Sequence, residues 1–129
     1  MIRTMFRYLW AGPATLVGLA FAILAVRRGR VSIVDGVVEA HGPLLRWALT
    51  RMIPLDGGAS AITFGHVVLG RDLESLAATR AHERVHVIQY ERWGPLLVPA
   101  YLLSGLWEFA RGRHPYYDNR FEREAIGKS

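Results

Sequence analysis

The sequence predicts an α+β protein. Its expected parts are an N-terminal transmembrane or long apolar helix, a small antiparallel sheet of about three strands, a helix bearing a His-Glu-x-x-His motif, an apolar helix and a short C-terminal helix. Three observations carry this reading. Residues 8–26 are uncharged throughout, two β-rich runs flank Asp35-Gly36, and helix-compatible sequence holds the motif from Leu73 until Gly94-Pro95 stops it. A chain of 129 residues suits a single core.

Composition narrows the function classes. Half of the chain is hydrophobic (51%) and only 21% is charged, which excludes a disordered chain. The net charge of +5 invites a nucleic-acid reading, but its distribution argues otherwise. Five of the 16 basic residues (Arg3, Arg7, Arg27, Arg28 and Arg30) lie in the first thirty residues, and all 11 acidic residues lie beyond them. The excess therefore flanks the apolar segment and the remainder is neutral, which points to membrane lipid and not to nucleic acid. The absence of cysteine excludes disulfides, thiolate zinc ligands and cysteine nucleophiles.

The first element is the run from Tyr8 to Val26, bounded by Arg7 and Arg27. Nineteen helical residues span roughly 28 Å, close to the ~30 Å hydrocarbon core of a bilayer. Tyr8 and Trp10 stand at its leading edge, and Pro13 falls near its start, where a membrane helix accommodates it. A cleaved signal peptide and a buried core helix are the competing readings. The run is long for a signal sequence and ends in Arg-Arg-Gly-Arg. The division is thus a membrane anchor over residues 1–30, single-pass or membrane-associated and of unassigned sidedness, and a small domain over 31–129.

Residues 31–34 and 37–40 flank Asp35-Gly36 as a two-residue hairpin. Leu44 to Ile53 reads as a short amphipathic helix with Leu45, Leu49, Met52 and Ile53 on one face, closed by Pro54 and Gly57-Gly58. Ala61 to Leu69 reads as a third strand. Asp72 then caps the helix from Leu73 to about Trp93. Gly94 to Trp107 is uncharged but short for a bilayer crossing, so it is a core, interfacial or re-entrant helix. After a polar loop, Asn119 opens a short helix from Arg120 to Ile126.

The chemistry lies in His82-Glu83-Arg84-Val85-His86. On a helix, residues four apart share a face, so both imidazoles reach one metal. Glu83, offset by one residue, reaches a water on that metal as general base. By composition alone the pattern arises on the order of 0.01 times in a chain of this length. The competing reading makes both histidines ordinary interfacial residues. A catalytic zinc needs a third ligand, and Glu91, Glu108, His114, Asp118, Glu122 and Glu124 follow in the sequence. Glu91 lies about 7.5 Å of rise past His86 on the same helix, too far along to close the site.

The motif followed by Glu122-x-x-Ala125 resembles the gluzincin zinc metallopeptidases, and is most similar to the integral-membrane CAAX-protease type with its Glu-x-x-Ala-Asp pattern. The resemblance implies a zincin-like domain with Zn2+ held by His82, His86 and Glu122, and with Glu83 as the base. Ile126 departs from the pattern, where the family carries an Asp that orients a histidine ligand. Two alternatives stay open: Glu122 as the returning partner of an Asn119 capping box, and Glu124 as the reserve ligand. In zincin folds a strand above the motif helix binds extended substrate, a role that falls to Ala61–Leu69. His66, Tyr116 and Tyr117 are candidate oxyanion donors, each weighed against ordinary packing; His41 and His114 carry no assignment. The expected function is a membrane-anchored zinc metallopeptidase-like hydrolase acting on a peptide or protein. The alternative is a non-catalytic membrane protein using the metal site for structure or interaction.

Overall fold

The structure is a computed structural model that describes residues 2–23, 25, 28–53 and 58–129. Asp35 and Gly36 both take positive φ (50° and 78°), the requirement of a type I′ turn, and Val34 pairs with Val37 across it. This joins β1 (Arg30–Val34) to β2 (Val37–His41) in antiparallel fashion.

The expected third strand over Ala61–Leu69 is corrected: it is two strands. Gly65 at φ 61° turns the chain after β3 (Ala61–Phe64) into β4 (Val67–Gly70), with Phe64 opposite Val67. The sheet is corrected with it. It has four strands in the order β1-β2-β4-β3 and is mixed, because β2 and β4 run parallel with Val38 opposite Val67. A parallel pair needs a crossover, and the chain makes it through α3 (Pro43–Arg51) and β3. On α3, Leu45 and Leu49 are buried as expected, whereas Met52 lies exposed past its end. Pro54 and Gly57 lie outside the described residues.

The single N-terminal helix is also corrected. α1 (Ile2–Trp10) and α2 (Gly12–Ile23) are separate helices bent by 62°, and among the described residues no single helix is long and apolar enough to cross a membrane. Val26 and Arg27, the expected end of the segment, lie outside the described residues. The break has a local cause and a tertiary one. Pro13 offers no N–H to the Leu9 carbonyl one turn back, and its ring crowds that turn. Trp10 then clamps α1 onto the body: its indole N–H donates to the Arg92 carbonyl at 3.0 Å, and the ring lies so close to Gly94 that a Cβ there would come within 2.4 Å of it.

α4 runs Leu73–Trp93, with the Asp72 carboxylate accepting from the Ser75 N–H at 2.7 Å. Gly94 at φ 56° ends it. One 3₁₀ turn (Gly94–Leu96) leads to α5 (Leu97–Ala110), and α6 (Arg120–Lys128) closes the chain.

Strand alternation sends neighbouring β4 side chains to opposite faces. Val67 and Leu69 pack with Ala22, Ala25, Ala40 and Leu45 on the α2 side, while Val68 packs with Val37, Leu76 and Val87 on the α4 side. The sheet is thus sandwiched between α2 and α4. Glu39, buried on the α4 side, is held by Arg80 Nε at 3.0 Å, Arg80 Nη2 at 2.9 Å and Arg84 Nη2 at 3.2 Å. α4 is fixed against the sheet through both charge and packing.

Candidate metal centre

The helical repeat puts His82 and His86 one turn apart, and α6 brings Glu122 to them. Glu122 Oε1 is 2.9 Å from His82 Nε2 and 3.1 Å from His86 Nε2, and the two Nε2 atoms are 3.2 Å apart. His86 and Glu122 are buried and His82 is half-buried. One potential ligand atom from each residue lies within 4.8 Å of the others.

The other downstream acids are engaged elsewhere. Glu91 pairs with His66 at 2.8 Å, and Glu108 is buried near Arg111 and Arg113. Asp118 accepts from the His114 N–H. Glu124, the reserve ligand, accepts from Gln89 at 2.8 Å and from Lys128 at 3.2 Å.

The capping-box reading of Glu122 does not match the geometry. Asn119 caps α6 by accepting from the Phe121 N–H at 3.0 Å, but its own N–H goes to the Tyr116 carbonyl. Both Glu122 oxygens are committed to side chains: Oε1 to the histidines, and Oε2 to the Tyr101 hydroxyl, which donates to it at 2.6 Å. Burial pushes the Glu122 carboxyl up, yet the hydrogen bonds from His82, His86 and Tyr101 outweigh it and hold the pKa down to about 2. Burial disfavours charge on His86, and the Glu122 carboxylate reverses this, so its pKa moves upward. The carboxylate thus favours positive charge between the rings, which a divalent cation also supplies.

Glu83 lies on the neighbouring stripe of α4, only 5% exposed, and accepts from the Thr63 hydroxyl of β3 at 3.0 Å. Burial raises its pKa, against the opposing charges of His86 and His82 and the Thr63 hydrogen bond. An upward shift makes the carboxylate a better proton acceptor than a free one. β3 is an edge strand of the sheet, with no strand on its outer side among the described residues.

Three contributors escape a reading of the sequence: Thr63, Tyr101 and Gln89. Gln89 fixes the orientation of His86. Its amide NH2 donates to the Phe121 carbonyl at 2.9 Å and to Glu124 Oε1 at 2.8 Å. Two acceptors fix the amide orientation, so Gln89 Oε1 must accept from the Nδ1–H of His86, 2.8 Å away. In neutral His86 the Nε2 lone pair then faces His82 and Glu122. Supporting partners of this kind set the tautomer of metal-binding histidines. A polar residue three positions after the motif histidine is the one signal that marks Gln89 in the sequence.

Tyr116 approaches Glu122, and burial, with the Glu122 charge behind it, raises its phenol above the usual range. Tyr117 is exposed. His66 is corrected from a strand residue to the turn between β3 and β4, where its ring stacks on Tyr8 at 3.9 Å and bonds Glu91, so it is committed away from the cluster. His114 orders its own loop by accepting from the Tyr116 and Tyr117 N–H groups.

Comparison with protein-family models, curated proteins and solved structures finds no match to this chain.

Proposed function

We propose that the chain is a zinc-dependent hydrolase of the metallopeptidase type, with His82, His86 and Glu122 as ligands and Glu83 as general base. The observation that carries this reading is the convergence of two imidazole nitrogens and one carboxylate oxygen within 4.8 Å, with a buried carboxylate on the neighbouring helix position. Two nitrogens and one oxygen suit zinc and leave a coordination position open. When bound, the ion would polarise a water and bring its pKa toward neutrality.

The chain's own residues do the remainder. Thr63 holds Glu83 through Oε2, which leaves Oε1 to receive the proton. Tyr101 holds Glu122 by its second oxygen. Gln89 holds His86. The outer edge of β3 offers backbone groups to an extended peptide beside Glu83. A non-catalytic metal site is the second reading, favoured by the burial of Glu83 and Glu122 to 5% and 3% exposure.

The experiment is metal analysis joined to a peptidase assay. Wild type is expected to hold one zinc per chain, and His82→Ala to hold none. Glu83→Gln should keep the metal and lower turnover by about 10²–10⁴-fold. Wild type without zinc would refute both readings; zinc with no Glu83-dependent turnover would leave only the second.

A further inference from the structure

In water, a helix on a protein surface turns its large apolar residues inward and its polar residues outward. α5 does the reverse. Tyr101, Ser104, Gly105 and Glu108 recur at helical spacing and face the protein: Tyr101 donates to Glu122, Ser104 Oγ accepts from the Arg120 N–H, and Glu108 is buried. On the opposite stripe, Leu102, Leu103, Leu106 and Phe109 are each 63–67% exposed.

α2 repeats the inversion with small residues. Ala14, Gly18 and Ala22 face the body, and a Cβ on Gly18 would come within 2.6 Å of Val67 Cβ. Leu16, Val17, Leu19 and Ile23 face outward. Small residues inside and large apolar ones outside are the arrangement of helices solvated by lipid. α1 adds an exposed apolar face of Ile2, Met5, Phe6 and Leu9, with Arg3 and Arg7 on the other side.

From these three helices we infer that the chain is seated in one leaflet of an anionic bilayer, with α2 and α5 in the acyl region and α1 lying along the interface. Length sets the depth. α5 has 14 residues and α2 has 12, separated from α1 by a 62° bend. These are about 21 and 18 Å of helix, short of the ~30 Å hydrocarbon core. Charge selects the occupant. Arg3, Arg7, Arg28 and Arg30 border α1 and α2, where residues 1–30 contain no acid, and Arg111 and Arg113 at the end of α5 share the single carboxylate of Glu108 at 3.8 Å. Arginine-bordered faces repel a second copy of themselves and attract anionic headgroups. Trp107, with Arg111 stacked over it at 5.6 Å, stands near the polar end of α5, where interfacial aromatics belong. The seating does not depend on the metal reading, and its test involves no zinc or turnover.

The chain has no cysteine, so single cysteines report without background. Phe6→Cys, Leu16→Cys and Leu103→Cys, each carrying an environment-sensitive fluorophore, are added to vesicles of equimolar phosphatidylglycerol and phosphatidylcholine. Ser129→Cys serves as the aqueous control. The expected result is co-flotation with these vesicles and quenching of the first three probes by lipids brominated in one leaflet's depth, with Ser129→Cys unquenched. Leu103→Glu and Leu106→Glu alter only exposed side chains and should keep the wild-type circular dichroism, yet weaken vesicle binding by roughly tenfold or more each. Four results would each overturn the inference: no flotation, flotation unaffected by either Glu variant, a dimer in solution that either variant dissociates in place of vesicle binding, or probe labelling from the far side of the bilayer.

Discussion

Replacing Gln89 with leucine tests how this histidine set is oriented. Leucine fills nearly the same volume but takes no part in hydrogen bonding. Gln89 is 1% exposed and makes three side-chain hydrogen bonds, to His86, the Phe121 carbonyl and Glu124. Glu124 keeps Lys128 and reaches water, so its loss is small. The His86 Nδ1–H is left buried without a partner, at about 1–3 kcal/mol, whereas the Phe121 carbonyl keeps its place in the α6 helical ladder. A loss of about 1–3 kcal/mol is a sizeable fraction of a typical domain's stability. The freed imidazole should also lower zinc affinity about 10–100-fold. The assays are urea unfolding and zinc competition against a chelator. Gln89→Glu separates orientation from general damage, because its carboxylate still accepts from His86 while losing the donors to Phe121 and Glu124. It should lose stability yet bind zinc more tightly than Gln89→Leu. Unchanged zinc affinity in Gln89→Leu would refute the orienting role, and so would equal zinc loss in both variants.

Three further outcomes follow from the packing. Asn119→Ala removes the acceptor for the Phe121 N–H and the donor to the Tyr101 carbonyl from a fully buried position; it should cost about 0.5–2 kcal/mol as a lost cap and weaken zinc binding by displacing Glu122, read by thermal unfolding and chelator competition. Gly94→Ala forces a side chain onto φ 56° and against the Trp10 indole, so a loss of about 1–3 kcal/mol in urea unfolding is expected. Glu39 has its pKa lowered chiefly by Arg80, against burial and with help from Arg84. A carboxylate depressed in the folded state contributes stability above its unfolded value and loses it as pH falls through the folded value. The stability gap between wild type and Glu39→Gln should therefore be constant above about pH 4.5 and shrink below it, as urea midpoints across that range will show.

Features settled by a few neighbouring residues were legible in the sequence. The Asp35-Gly36 turn, the Asp72 cap, the Gly94-Pro95 stop and the shared face of His82 and His86 all depend on backbone preferences or on one helical turn. The second hairpin was not legible, because Gly65-His66 lies inside an apolar run and carries no strong turn pair. The N-terminal bend was hidden for a different reason: a Gly-Pro step is compatible with both a continuous membrane helix and a break, and the docking of Trp10 on Arg92 and Gly94 accompanies the break.

Composition and local pattern by themselves determined the motif helix, the first hairpin and the concentration of positive charge around an apolar N-terminus. Tertiary structure alone decided the parallel pairing of β2 with β4, the choice between cap and cluster for Glu122, and the service of Gln89, Tyr101 and Thr63 to groups up to 35 positions away. It also decided which side of α5 faces out. The physical reason is common to all of these. Hydrogen-bond partners and burial are properties of surfaces brought together from distant segments, and an uncharged run reads the same whichever of its faces meets the protein.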